Sequence, residues 1–144
     1  MKKIAFIIVL ALLAYGFQQG GGFSLPGLGS IGGNSDATLQ EAYRSHRSDL
    51  QIQGEGTVVK VLADDLDGSR HQRFILQTGT GQTLLVAHNI DLAPKIRNLE
   101  AGDTVAFYGE YEWNIKGGVI HWTHHDPGRN HVDGWLKHRG RTYD

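Results

Sequence analysis

Alternating apolar and polar residues predict five short β-strands between residues 56 and 124. β-Branched and aromatic residues recur within these runs, and clusters of glycine, aspartate and serine separate them, as tight turns require. In the second run, Phe74 and Leu76 fall on one face, whereas Arg73 and Ile75 fall on the other. The predicted strands are residues 56–62, 71–78, 83–88, 104–111 and 119–124.

Helical spacing predicts two short helices. Ser35 or Asp36 can cap the first, which runs to about Arg47. Its apolar face carries Leu39, Ala42, Tyr43 and His46. The second covers residues 91–100, where Pro94 keeps it short. Five strands with a helix between the third and fourth favour an all-β fold with one or two short helices, a five-stranded OB-like Greek-key barrel. An open antiparallel sheet or another small barrel is the alternative.

The N-terminal residues have the composition of an export signal. Basic residues 1–3 precede the apolar residues 4–17, a run too short to span a bilayer comfortably. Residues 1–17 are therefore predicted to be a signal peptide, or an N-terminal anchor if uncleaved, and residues 18–35 a glycine-rich linker. We expect a folded domain at residues 36–144 that is periplasmic or secreted. In the alternative it is anchored to the inner membrane, which only residues 4–17 would contact.

Composition excludes several kinds of site. The 144-residue chain contains no cysteine, which rules out disulfides, thiolate metal sites and cysteine nucleophiles. Its formal charge is −1, and loss of Lys2 and Lys3 with the signal lowers it to −3. Proteins that bind nucleic acid strongly usually carry an excess of basic residues, so this net negative charge does not favour nucleic acid as a partner. We expect the domain to be a monomer.

Histidine is concentrated near the C-terminus. Five of the eight histidines fall between His121 and His138, in the run HWTHHDPGRNHVDGWLKH. The same run contains two tryptophans and two aspartates. Imidazole titrates near neutral pH and is the commonest protein ligand for transition metals. We therefore predict that the functional site of the protein lies in this segment.

The chain also resembles a family of small exported bacterial proteins known only as a domain of unknown function. Four runs within residues 36–143 carry the resemblance: DDLDGSRHQRF, AHNIDLAP, GEYEWNIKGGVIHWTHHDP and HVDGWLKHRGRTY. The resemblance implies an OB-like β-barrel and no established activity.

Strand geometry predicts a metal site at the histidine-rich rim. The third and fifth strands of an OB barrel usually lie parallel, which would bring the ends of these strands together. Pro127 forces the chain to turn after the fifth strand. The predicted ligands are His88, His124, Asp126 and His131, which suit Zn²⁺ or another divalent transition metal. Their spacing matches no recognised metal motif, and the alternative is that these histidines hydrogen-bond the C-terminal segment to the barrel.

A ligand surface is predicted beside this rim, because OB folds commonly bind ligands across strands two and three. The predicted contact residues are Arg70, His71, Arg73, Asn89, Trp113, His121, Trp122 and His125. Further basic and aromatic residues could supply the positive charge and the stacking surfaces that bind single-stranded nucleic acid or oligosaccharide. They are Arg129, Lys137, Arg139, Arg141, Tyr108 and Tyr111. The alternative is that the aromatic residues fill the barrel. We expect Trp113 to be exposed, and Phe74 and Phe107 to be core.

Catalytic motifs are absent from the sequence, including the nucleophile elbow, the phosphate loop and the metalloprotease helix. A metal-dependent hydrolase of the cell envelope, phosphodiesterase- or nuclease-like, would need His124 or His125 as base. Arg73 or a metal would take up the phosphate charge. We therefore expect a non-catalytic, exported OB-like binding module with its ligand site at the histidine-rich rim. The hydrolase and the nucleic-acid or oligosaccharide binder are the alternatives.

Overall fold

The computed structural model describes residues 31–144. The signal peptide or anchor predicted at residues 1–17, and most of the linker predicted at 18–35, lie outside the described residues. Within residues 31–144, no helix has the length and apolar character needed to cross a bilayer. The elements are α1 (Ile31–Arg44), β1 (Leu50–Val61), β2 (His71–Gln77), β3 (Thr83–Asn89), β4 (Thr104–Glu112), β5 (Val119–His121), β6 (Trp135–His138) and β7 (Arg141–Tyr143).

Strands β1 to β5 form a closed barrel. They follow the order β1-β2-β3-β5-β4, and β1 pairs with β4 to complete the circle. Strands β3 and β5 pair in parallel, whereas the other neighbours in the barrel pair antiparallel. The predicted five-stranded OB-like barrel is therefore confirmed, including its parallel pair.

Alternation along the strands fills the barrel with apolar side chains. On β4, Val105, Phe107 and Tyr111 point inward and are fully buried. Phe74 and Phe107 are both core residues, as predicted. Gly54 lies opposite Phe107 on β1. A Cβ atom at Gly54 would lie 2.8 Å from Phe107 Cζ, so the large ring requires a glycine as its partner.

The predicted helix at residues 91–100 is wrong, because these residues form turns and irregular loop. Pro94 cannot donate a backbone hydrogen bond and disfavours helical geometry in the residue before it. In place of helical hydrogen bonds, the buried side chain of Gln72 bonds to the backbone of Ile96 in this loop. Its Nε2 donates to the Ile96 carbonyl oxygen at 2.8 Å, and its Oε1 accepts from the Ile96 amide at 2.9 Å. Ile96 itself is buried and covers one end of the barrel.

Helix α1 covers the opposite end of the barrel. It begins and ends a few residues earlier than predicted, and Leu39 and Ala42 on its apolar face are buried. Gln82 Nε2 joins the helix to the β4–β5 turn, since it donates to the carbonyl oxygens of Leu39 and Gly117. His46 follows the helix with a φ of 55°, in the left-handed region that ends helical geometry.

The C-terminal strands were not predicted, and β5 is shorter than predicted. Strand β5 ends at His121 because Trp122 has a φ of 56°, which breaks the extended path. Strand β6 then pairs with residues 105–108 of β4, an edge that the short β5 does not reach. Strand β7 pairs with β6 and ends the chain at the barrel wall.

Candidate functional site

The pairing of β1, β4 and β5 aligns three polar residues in one row on the outer surface of the barrel. Gln51 on β1 lies opposite Glu110 on β4, and Glu110 lies opposite His121 on β5. Because side chains alternate along a strand, Glu112 shares the face of Glu110, and Tyr111 between them points into the core. We call Glu110, Glu112 and His121 the acid–histidine cluster.

The donor atoms of the acid–histidine cluster converge. His121 Nε2 lies 3.5 Å from Glu110 Oε2 and 3.4 Å from Glu112 Oε1. The three ligating atoms lie within 4.8 Å of one another, and no other three His, Asp or Glu side chains in residues 31–144 meet this spacing. His121 Nε2 and Gln51 Nε2 are both buried without a hydrogen-bond partner. The cluster therefore combines close donor atoms with unsatisfied nitrogens.

Electrostatics in the cluster favour a neutral imidazole at His121 and a raised pKa at Glu112. Burial lowers the pKa of His121 to about 4, and repulsion from His131 contributes in the same direction. Burial raises the pKa of Glu112 to about 7, together with a hydrogen bond and repulsion from the Asp49 carboxylate. Near neutral pH, His121 is therefore uncharged, and Glu112 is protonated far more readily than an exposed glutamate.

Two residues with left-handed backbone geometry flank the cluster. Asp49 has a φ of 60° and precedes β1, and Trp122 has a φ of 56° and follows His121. Side chains other than glycine rarely adopt such angles, and strained residues are concentrated at functional sites. The strain at Asp49 turns the chain as it enters β1 beside Glu112.

His131 reaches the cluster from the loop between β5 and β6. Its Nε2 lies 3.0 Å from Glu110 Oε2. Its ring stacks on Trp122, with centroids 3.9 Å apart and planes 9° from parallel. His131 and Trp122 thus cover the Glu110 side of the cluster.

The four predicted metal ligands lie in one region, but their donor atoms do not form one ligand set. His88 is fully buried, and its Nε2 donates to the Pro94 carbonyl oxygen at 2.9 Å. Its Nδ1 accepts from Thr123 Oγ1 at 2.7 Å, so both ring nitrogens are used. His124 Nδ1 bonds to the His125 carbonyl oxygen, and the Asp126 carboxylate accepts backbone amides of its own loop. Of the four, His131 alone contacts the acid–histidine cluster.

Several predicted ligand contacts are bonded to neighbouring residues instead. The Arg70 guanidinium pairs with Asp91 at 2.7 Å, and the Arg73 guanidinium donates twice to the Ala63 carbonyl oxygen. His71 Nδ1 bonds to the Ser69 carbonyl oxygen. Asn89 Oδ1 accepts from the Asp91 amide, and His125 lies between Asp133 and Asp144. These five residues lie outside the acid–histidine cluster.

The aromatic residues divide between core and site. The prediction that Trp113 is exposed is wrong, because it is half-buried against the core, its ring stacks on His46 and its Nε1 donates to the Tyr43 carbonyl oxygen. Tyr111 is fully buried, as the alternative interpretation expected. Among the predicted ligand contacts, His121 and Trp122 belong to the site.

Sequence reasoning missed Glu110, Glu112, Gln51 and Asp49. The signal for the two glutamates was present in the run GEYEW, where i and i+2 spacing places both on one face of a predicted strand. That strand and the next are joined by a short turn, so the hairpin register sets Glu110 opposite His121. Gln51 and Asp49 required knowledge that β1 begins at Leu50 and closes on β4.

Residues 28–144 match the model of a protein family described as "Protein of unknown function (DUF3465)", and the chain belongs to this family. The match confirms the family resemblance seen in the sequence. The comparison with curated proteins gave no match.

Proposed function

We propose that this member of the DUF3465 family is a binding module for a divalent transition-metal ion. The ion would be held on the outer face of the barrel by Glu110, Glu112 and His121. The observation that carries the proposal is the convergence of two carboxylate oxygens on the buried, unbonded Nε2 of His121. A mixed set of carboxylate and imidazole ligands suits Zn²⁺ and related ions.

The energetics of the cluster support a cation. A buried polar group without a partner costs about 1–3 kcal/mol, and His121 Nε2 is such a group. Repulsion among Asp49, Glu110 and Glu112 adds to this cost, as the raised pKa of Glu112 indicates. Coordination of one divalent ion would satisfy the nitrogen and offset the repulsion at the same time.

Removal of one ligand tests the proposal. The protein, stripped of metal and titrated with Zn²⁺ by calorimetry, is expected to bind one equivalent. Glu112→Gln or His121→Ala should weaken binding by more than about 100-fold, since even outer-shell partners of metal ligands are worth roughly 10–100-fold. Glu55→Gln is the matched control, because Glu55 is exposed on β1 outside the cluster. Binding that is absent in the wild type, or equal in all four proteins, would refute the metal site.

We also propose that the domain acts outside the cytoplasm, on the basis of the charged start and apolar run at residues 1–17. A fusion of residues 1–33 to alkaline phosphatase should be active in the periplasm, because this reporter requires an oxidising compartment. A mass measurement on the exported full-length protein would then separate a cleaved signal from a retained anchor. Reporter protein found only in the cytoplasm would contradict export.

A further inference from the structure

The loop of residues 122–134 holds the imidazole of His131 against the acid–histidine cluster. His131 Nδ1 lies 2.9 Å from the Val132 carbonyl oxygen. The Val132 carbonyl oxygen can only accept, so Nδ1 donates to it, as metal-binding histidines donate from their second ring nitrogen. Nε2 donates to Glu110 Oε2 at 3.0 Å, because an ionised carboxylate also only accepts. A metal ion bound to Nε2 would take the place of that proton.

Asp126 organises this loop from within. Its Oδ1 accepts the Gly128 amide at 3.0 Å, and its Oδ2 accepts the amides of Asn130 and His131 at 2.8 Å each. These backbone hydrogen bonds, led by that of Asn130, hold the pKa of Asp126 below its usual range. With both oxygens engaged, the carboxylate fixes the backbone that carries His131.

The base of the loop is also fixed. The Gly134 amide donates to the His124 carbonyl oxygen at 2.9 Å. A Cβ atom at Gly134 would collide with the carbonyl oxygens of Trp122 and Tyr108, so the two ends of the loop meet closely there. Stacking on Trp122 then sets the plane of the His131 ring. Three contacts thus hold the His131 imidazole: the hydrogen bond that fixes its backbone amide, the hydrogen bond from Nδ1, and the stacking of its ring on Trp122.

We propose that His131 is the fourth ligand of the ion bound by the acid–histidine cluster, and that Asp126 is the positioning residue that presents it. This inference rests on the proposed function. Four protein ligands are the number found in structural zinc sites, whereas catalytic sites keep a position open for water. The assignment therefore favours a binding module over the metal-dependent hydrolase that the sequence left open.

A double-mutant cycle tests both parts of the assignment. Zn²⁺ affinity is measured for the wild type, His131→Ala, Asp126→Ala and the double variant. We expect each single change to weaken binding by roughly 10–100-fold. The double variant should bind no more weakly than His131→Ala, because Asp126 acts only through His131. Asn130→Ala, which keeps the backbone amide that Asp126 accepts, is the matched control and should bind as the wild type does.

The outcomes separate this inference from the proposed function. If the wild type binds no Zn²⁺, the proposed function fails. If the wild type binds one equivalent and His131→Ala binds equally well, the fourth ligand is wrong. Additive losses in the double variant would show that Asp126 does not act through His131. The Co²⁺ absorption spectrum gives a second readout, since loss of an imidazole ligand in His131→Ala should change its band positions. If Asp126→Ala does not fold, Asp126→Asn takes its place in the cycle.

Discussion

Deletion of residues 126–144 is expected to lower the free energy of unfolding by about 3–6 kcal/mol. Leu136 and Tyr143 are buried against the barrel, and burial of each large apolar side chain contributes ~1.5–3 kcal/mol. The deletion also removes β6, which pairs with the part of β4 that β5 does not reach. Urea denaturation followed by tryptophan fluorescence and circular dichroism gives the change.

Point variants separate packing from chain length in this experiment. Leu136→Ala should cost about 2–5 kcal/mol, as other large-to-small changes in cores do. Lys137→Ala is the neighbouring control, since Lys137 is exposed and its backbone pairing with β4 is unchanged. An unfolding midpoint that stays the same after the deletion would show that the C-terminal strands do not stabilise the barrel.

Acid is expected to destabilise the domain through His88. Burial lowers the pKa of His88 from 6.5 to about 4. Because the folded state disfavours the charged ring, the stabilisation is complete above pH 6.5 and is lost as the pH falls toward 4. The loss at pH 4 should be about 3 kcal/mol, since one pKa unit corresponds to about 1.36 kcal/mol.

Substitution of His88 isolates this contribution from those of other acid-sensitive groups. His88→Gln keeps a donor for the Pro94 carbonyl oxygen but cannot be protonated, so its stability should change less between pH 7 and pH 4. His125→Gln is the control, because the Asp133 carboxylate raises the pKa of His125 and gives it the opposite dependence. Equal pH dependence in His88→Gln and the wild type would contradict the assignment.

The barrel could be predicted because the alternation of inward-facing and outward-facing residues is visible within the sequence of a single strand. Phe74 and Leu76 alternate with polar or outer-face residues on β2, and the order of elements then specifies the OB arrangement. The loop at residues 91–100 could not be predicted in this way, because its conformation depends on hydrogen bonds to Gln72, which lies about 20 residues earlier in the sequence. Strands β6 and β7 are four and three residues long, and they form because β4 offers an unpaired edge.

The candidate site was predicted only in part for a related reason. His121 and His131 were found from the density of histidine, which is visible along the chain. Glu110 and Glu112 become partners of His121 only through the register between β4 and β5. His88 was assigned to a ligand set because its strand lies parallel to β5. The carbonyl of Pro94 and the hydroxyl of Thr123, which occupy its nitrogens, are contacts that spacing does not reveal.

Tyr111 joins the acid–histidine cluster to the interior of the barrel. It stands between Glu110 and Glu112, and its hydroxyl donates to the Gly117 carbonyl oxygen at 2.8 Å, in the turn that aligns β4 with β5. Any repacking around this ring would be transmitted through one strand to the separation of the two carboxylates. A substitution in the core around Tyr111 would therefore also change the spacing of Glu110 and Glu112, on which the proposed ion site depends.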